Sequence, residues 1–248
     1  ILLLQALGLP IPKYAHIALV VGGDGAPLSK RTGSKSVQEL RGAGYLPLAI
    51  NNYLARLGHT YESNAFMTLV NLAEHFDLAK LHRSPARYDE AQLLHWQREA
   101  VHAVSAAELW AWMGEEVHAL VPADKHADFI EAVRSNAVFP EQARHWAQVV
   151  FADEMPLTRE ARLAIEAAGA EFFAHSLNAM DQYAIDFKGV SSVLKQSTGR
   201  SGKNLFMPLR ASLTGELDGP EMAKLLPLIG AERARARIVQ ARDRAGRK

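Results

Sequence analysis

The sequence contains no cysteine. That excludes structural disulfides and thiolate metal sites, and a reducing compartment is the simple reading, so a cytoplasmic protein is expected. Its ten histidines show no HExxH or comparable ligand spacing, and His75, His82 and His95 are scattered, so neither zinc nor any other metal is assigned to them. Long apolar runs are also missing. The opening ILLLQALGLPIP is apolar for only a few residues before Gly8 and Pro10, too short to span a bilayer and without the basic start of a signal peptide. No membrane segment is expected. The chain has neither an initiating Met nor a helix cap before LLLQALGL, which suggests a piece of something longer. Charge imbalance is absent too, the net charge being +1, so overall charge argues for no partner.

What is present is a globular composition: 248 residues, 48% hydrophobic, 22% charged and 8% aromatic, enough for one large or two to three small domains. Abundant Ala and Leu point to a mainly all-α fold. YAHIALVVGG reads as the one clear buried strand, feeding a Gly turn. Ser36-x-x-Glu39 and Ser105-x-x-Glu108 are capping boxes, and helices joined by GAGYLP follow the first of them. Asp124 and Pro140 are possible helix starts. Thr158 caps a helix expected to reach about Met180 and to continue through DQYAIDFKGVSSVLKQST. GRSGK is a Gly-rich loop, LFMPLRASLTG an interrupted helix, and Gly219-Pro220-Glu221 opens a helix that Gly230 ends. Trp96, Trp110 and Trp112 are read as core or half-buried anchors, and Phe206 and Met207 as core.

The charges that matter are local. Lys188, Lys195, Arg200, Lys203 and Arg210 share one stretch without a single Asp or Glu, and the tail holds Arg233, Arg235, Arg237, Arg242, Arg244, Arg247 and Lys248 against Glu232 and Asp243. Such patches suit a polyanion whose neutralised phosphates release counterions. A solvated helix face is the competing reading for the tail. Near the start, GGDGAPLSKR is flexible backbone followed by a hydroxyl, Lys30 and Arg31, a donor set suited to oligophosphate. It matches neither a Walker A loop nor G-x-G-x-x-G, and from spacing alone a polar surface turn competes with phosphate binding.

YAHIALVVGGDGAPLSKRTGSKSV followed by GYLPLAINNYLARLG resembles the signature-loop region of bacterial glutamyl-tRNA synthetases, class I enzymes whose KMSKS motif takes the form x-L-S-K-R. GKNLFMPLRASLTGELDGPEM and LLPLIGAERARARI resemble that family's C-terminal anticodon-binding segment. The resemblance covers essentially the whole chain. It implies the end of a Rossmann-type catalytic domain with the loop (1–38), a helical stem-contact domain (39–100), and two helical anticodon-binding subdomains (101–155 and 156–248). It further implies ATP as a substrate with magnesium, glutamate, a glutamate-accepting tRNA and a monomeric protein. The family's HIGH signature does not occur in this sequence, so the chain alone is not expected to aminoacylate. A stand-alone, non-catalytic tRNA-binding module is the alternative.

Within the resemblance, Leu28, Ser29, Lys30 and Arg31 fall on the signature loop, with Lys30 the cation that steadies ATP phosphates during adenylation. Ala26 and Pro27 stand where the family usually has a Lys. Arg210, Gly219, Pro220 and Met222 fall on positions that meet anticodon bases, and Lys195, Arg200 and Lys203 would hold phosphates nearby. For Arg210 a buried tie between helices is the competing reading. Asn136, with Arg134 beside it, aligns with the slot where discriminating enzymes place an Arg against the third anticodon base. An amide both donates and accepts, so relaxed discrimination between glutamate- and glutamine-accepting tRNAs is expected.

Overall fold

The structure, a computed structural model, describes residues 1–28 and 35–247. They form two compact units, Ile1–Ala100 and Val101–Lys248. Both are helical, as the Ala- and Leu-rich composition predicts.

The first unit holds α1 (Leu2–Ala6), α2 (Val37–Gly42), α3 (Pro47–Leu57), α4 (Leu69–Glu74) and most of α5 (Glu90–Ala103). The Ser36/Glu39 capping box forms at the start of α2, Ser36 Oγ accepting from the Glu39 amide at 3.2 Å and Glu39 accepting from the Ser36 amide at 2.6 Å. α3 starts differently. Its N-cap, Leu46, has no side-chain oxygen, so the buried Gln97 of α5 supplies one from 51 residues away: Gln97 Oε1 accepts from the Leu46 amide at 2.9 Å while its Nε2 donates to Gly44 at 3.2 Å. Tyr53 Oη accepts from the Asp89 amide at 2.7 Å, tying α3 to the chain that enters α5, and burial raises the Tyr53 phenol to about 12.

The strand expectation needs correction. Only Val20–Val21 (β1) is extended in a ladder, and its parallel partner is a strand the sequence did not signal, Ala86–Arg87 (β2), with Val20 opposite Ala86 and Val21 opposite Arg87. Val21 is buried, whereas Ile17 and Leu19 are exposed. An apolar run becomes a buried strand only where a ladder and a covering layer meet it, and a two-residue partner provides little of either.

The second unit contains the end of α5, then α6 (Ala106–Met113), α7 (Glu115–Leu120), α8 (His126–Val133), α9 (Pro140–Phe151), α10 (Arg159–Ala168), α11 (Ala170–Tyr183), α12 (Phe187–Thr198), α13 (Lys203–Thr214), α14 (Met222–Ile229) and α15 (Ala231–Ala245). The Ser105/Glu108 capping box forms, and Pro140 opens α9. A short 3-10 turn, Ala123–Lys125, contains Asp124 and precedes α8. Thr158 caps α10 as expected, but the long helix is three helices. Gly169 breaks it at φ +81° and Ala184 at φ +48°, backbone conformations a helix cannot contain. Conversely, α13 runs unbroken through Pro208. Losing one hydrogen bond in its second turn is tolerated because Pro208 packs into the core beside Leu205 and Leu209. Phe129, Phe172 and Phe173 are fully buried here, each stabilising by about 1.5–3 kcal/mol relative to exposure. Trp110 is half-buried between the rings of His118 and His126, at centroid distances of 4.3 and 3.9 Å, and Trp96 is buried, both in keeping with anchors.

Arginines join these helices by their C-terminal ends. Arg134 Nη1 donates to the carbonyls of Val101, His102 and Val104 at 2.8, 3.1 and 2.9 Å, closing the last turn of α5. Arg200 Nη2 donates to Ala168, the last residue of α10, at 2.9 Å. Arg233 Nη1 reaches Val150 in the last turn of α9 at 3.1 Å. Arg237 is 5% exposed and bridges two helix ends, donating to Val149 of α9 at 2.7 Å and to Leu213 of α13 at 2.6 Å. Burial, with Arg233 nearby, pushes the Arg237 guanidinium down to about 10, which leaves it charged at neutral pH. The carbonyls that receive these bonds are those a helix cannot satisfy internally, and they carry its negative dipole end.

Two stability predictions follow from this packing. Arg237→Met strands two buried carbonyls and lowers unfolding free energy in a urea titration by about 2–4 kcal/mol, while Arg235→Met, losing an exposed ion pair to Asp181, costs about 0–1 kcal/mol. At the turn before α14, Gly219 has φ +133° and an added Cβ would lie 2.1 Å from Trp146 Cη2. Gly219→Ala therefore costs about 2–4 kcal/mol. At Gly199, with φ +68° and open space, the same change costs about 1–2 kcal/mol. Equal effects within either pair would contradict the assignment.

Candidate nucleic-acid interface

Gly22 to Leu28 folds back on β1. The Gly22 amide donates to Ala26 at 2.8 Å, the Gly25 amide to Gly22 at 3.0 Å, and the Leu28 amide to Val20 at 3.3 Å. Asp24 Oδ1 accepts from the Ala26 amide at 3.0 Å, and Gly25 takes φ +80°. Pro27 lies opposite Val21 at a bridge whose bonds are made by its neighbours Ala26 and Leu28, so the missing proline N–H leaves no acceptor unpaired. Leu28 is thus placed at the mouth of the loop. Ser29, Lys30 and Arg31 lie outside the described residues. Beyond them, Lys35 pairs with Glu90 at 3.0 Å, and that carboxylate raises the Lys35 ammonium above its usual range.

The distant candidates sit on α12, α13 and the turn into α14. α13 sorts its residues by helical period: Leu205, Pro208, Leu209, Ser212 and Leu213 are buried, while Lys203, Phe206, Met207 and Arg210 follow each other at i, i+3, i+4 and i+7 on another face. Phe206 is 46% exposed and Met207 half-buried, so the core reading of both is corrected. The signal was available, since the apolar set Leu205, Leu209 and Leu213 already fills the inward stripe. Phe206 lies 6.1 Å, centroid to centroid, from Phe187 at the start of α12.

Arg210 is half-buried and donates through Nη1 to the Pro220 carbonyl at 3.0 Å, so the structure brings Arg210 and the Gly219–Pro220 turn together. Burial lowers the Arg210 guanidinium, and Asp218 opposes that shift. Both readings of Arg210 have a basis: one N–H ties the turn, and the guanidinium carries four more. Met222 and Pro220 are buried and pack the turn from inside. Arg200 and Lys203 line one cavity of about 360 Å³ between α10 and α13, together with Met207 and Asn204. Lys203 is exposed at the first turn of α13, whereas Arg200 is spent on Ala168 and lies over the Phe172 ring at 4.9 Å. Lys195 is exposed on α12 and does not line that cavity.

Arg134 and Asn136 have different fates. Arg134 is consumed by the end of α5, whereas Asn136 sits half-buried in the turn between α8 and α9, its amide donating to Val133 at 2.8 Å. Among the described residues the Asn136 side chain makes no hydrogen bond. The basic tail divides: Arg233 and Arg237 close helix ends, Arg235 pairs with Asp181 and Arg242 with Asp243 near the surface, and Arg244 and Arg247 are exposed. Charge count alone could not separate these ties from free cations. The position of each Arg opposite a helix C-terminus decides it.

Known proteins resemble this chain along almost its whole length. Residues 1–95 match the family of class I tRNA synthetases (E and Q), catalytic domain, and residues 115–242 match the anticodon binding domain family. Glutamate–tRNA ligase 2 of Nitrosococcus oceani is 56% identical over 99% of this chain and 52% of its own length, and glutamate–tRNA ligase 1 of Halorhodospira halophila 49% identical over 97% and 50%. The chain thus spans about half the length of the curated relatives it matches. The fold is similar to a crystal structure of a glutamate tRNA ligase from Elizabethkingia meningosepticum in complex with its amino acid, with a TM-score of 0.82 at 24% identity over 98% of this chain and 53% of that one. Part of a class I catalytic domain and a helical anticodon-binding domain follow each other in one chain, and the protein belongs to the glutamate–tRNA ligase family.

Proposed function

We propose that this chain supplies the ATP-phosphate loop and the tRNA-recognition helices of a glutamate–tRNA ligase. The observation that carries the reading is the α13 face, where Lys203 and Arg210 flank the exposed Phe206 at helical spacing and Arg210 is held against the Gly219–Pro220 turn. Unpaired bases stack on such apolar and guanidinium planes and are read on their edges, while Lys side chains hold the phosphates.

In the whole protein the glutamate carboxylate attacks the α-phosphorus of ATP and pyrophosphate leaves. A hydroxyl of the terminal ribose of the tRNA then attacks the acyl carbon of glutamyl-adenylate, and AMP leaves. Ser29, Lys30 and Arg31 follow Leu28 in sequence, and Lys30 offsets charge that grows on the departing pyrophosphate. Magnesium accompanies ATP in this chemistry. Among the described residues no group of three or more His, Asp or Glu is placed to hold a metal. The domain assignment follows the same reading: 1–38 ends the catalytic domain, 39–100 contacts the stem, and 101–155 and 156–248 bind the anticodon. No helix among the described residues is long and apolar enough to cross a membrane, and we take the protein to be cytoplasmic and monomeric.

The test is a titration of the chain with glutamate tRNA, the same tRNA carrying a glutamine anticodon, and an unrelated tRNA, at two salt concentrations. Anticodon-dependent affinity is expected, weakening as salt rises. Arg210→Ala should weaken the preferred tRNA by about 10- to 100-fold and narrow the difference between tRNAs, whereas Lys195→Ala should weaken all three alike. Indiscriminate binding would contradict the reading. In charging assays with the full-length ligase, Asn136 should permit both glutamate and glutamine tRNAs, and Asn136→Arg should sharpen the choice. A strong glutamate preference that survives Asn136→Ala would assign discrimination elsewhere.

A further inference from the structure

In the second unit α10 and α13 lie side by side and leave between them an open cavity of about 360 Å³, within the range of small-ligand sites. Its walls follow the helical period. Ala164, Ala167 and Ala168 of α10 stand at i, i+3 and i+4, and α13 opposes them with two i, i+4 rows, Lys203 with Met207 and Asn204 with Pro208. The space exists because α10 offers only methyl groups there, and a longer side chain at 164 or 167 would fill it.

The lining is reachable from solvent. Ala168 and Pro208 are buried, Ala164, Arg200 and Met207 are half-buried, and Ala167, Lys203 and Asn204 are exposed. Arg200 is a fixed part of the wall, since its Nη2 donates to the Ala168 carbonyl at 2.9 Å and its guanidinium lies over the Phe172 ring at 4.9 Å. Lys203 and Asn204 are uncommitted: among the described residues Lys203 makes no ion pair and the Asn204 side chain no hydrogen bond.

Charge and polarity select the occupant. No carboxylate lines the cavity, and the chain from Lys188 to Arg210 holds five cations and no Asp or Glu. A simple anion would satisfy Lys203 but leave the alanine, methionine and proline surfaces in water. A nucleotide answers every part of the lining: a flat apolar face for those surfaces, an edge of donors and acceptors for one side-chain amide, and a phosphate for an ammonium. Leu163, 54% exposed one turn before Ala167, extends the apolar face of α10 beyond the cavity. Neither Arg210 nor the Gly219–Pro220 turn lines the cavity. Asn204 precedes Arg210 by about 9 Å along the helix axis, so a base in the cavity is a different base from one at Arg210.

We propose that the cavity between α10 and α13 holds one unpaired nucleotide of the tRNA, other than the one Arg210 meets, with its base against Ala164, Ala167 and Met207, its edge on the Asn204 amide and its phosphate on Lys203. The inference rests on the reading of α13 as an RNA-facing helix, and it makes no use of the Arg210 turn.

The experiment uses the 15N-labelled 248-residue chain and an RNA hairpin carrying the anticodon arm of glutamate tRNA. The Asn204 side-chain amide resonances, assigned from their loss in Asn204→Ala, should shift with the hairpin and stay in place with ribose 5-phosphate, which offers a phosphate without a base. Ala167→Trp, which fills the cavity from an exposed helix position, should weaken hairpin binding about tenfold or more, and Asn204→Ala, which removes no bond of the fold, about fivefold. Hairpins with single abasic nucleotides locate the occupant: at one position, distinct from the one coupled to Arg210, the abasic change and Ala167→Trp should cost no more together than either alone. A hairpin that shifts Asn204 yet binds equally with every anticodon contradicts the anticodon reading and leaves the cavity assignment standing. Asn204 resonances unmoved by the hairpin, or moved equally by ribose 5-phosphate, overturn the assignment, as does an Ala167→Trp chain that binds the hairpin as tightly as the unaltered one while Arg210→Ala weakens it.

Discussion

The hydrogen bond from an arginine guanidinium to the open carbonyls at a helix C-terminus is the interaction on which the second unit depends. Every α-helix ends with carbonyls that have no partner inside it. A fold of many short helices multiplies that problem, because its ends are numerous and close to the core. Arg134, Arg200, Arg233 and Arg237 each place a donor on such an end, and Arg237 joins two helices through one side chain. A guanidinium suits the task better than an ammonium, being planar, forked and weakly hydrated, and it meets the negative end of the helix dipole.

That use of arginine reshapes the functional reading. A cation committed to buried carbonyls cannot also release a counterion from a nucleic acid, so Arg233 and Arg237 of the apparently basic tail belong to stability. Among the remaining cations, those on α13 are ordered by the helical period. Lys203 and Arg210 fall on one face of α13 with Phe206 and Met207 between them, and Lys195 stands exposed on α12. Arg210 works at the boundary of both roles, since the bond that fixes the Gly219–Pro220 turn also fixes the plane of its guanidinium. The turn is in turn fixed by Trp146, whose ring fills the space a side chain at Gly219 would need.

The first unit solves the same helix-end problem with buried amides. Gln97 closes the start of α3, which has no capping side chain of its own, and Asn52 holds Met67 while orienting Arg56. Where those bonds run out, the side-chain nitrogens Arg56 Nε, His59 Nδ1 and Trp96 Nε1 are buried without a partner.

Sequence by itself determined the helical class, both capping boxes, Thr158 as a cap and the helix that runs to Gly230, because these depend on residues three or four apart in the chain. It also carried the family resemblance at the signature loop and at the anticodon end. Tertiary structure decided the rest. The break at Ala184, the unbroken passage of α13 through Pro208 and the pairing of β1 with β2 depend on packing between segments far apart in sequence. So does the division of arginines into ties and free cations, since Arg237 and Arg235 differ only in which face of α15 meets a helix end.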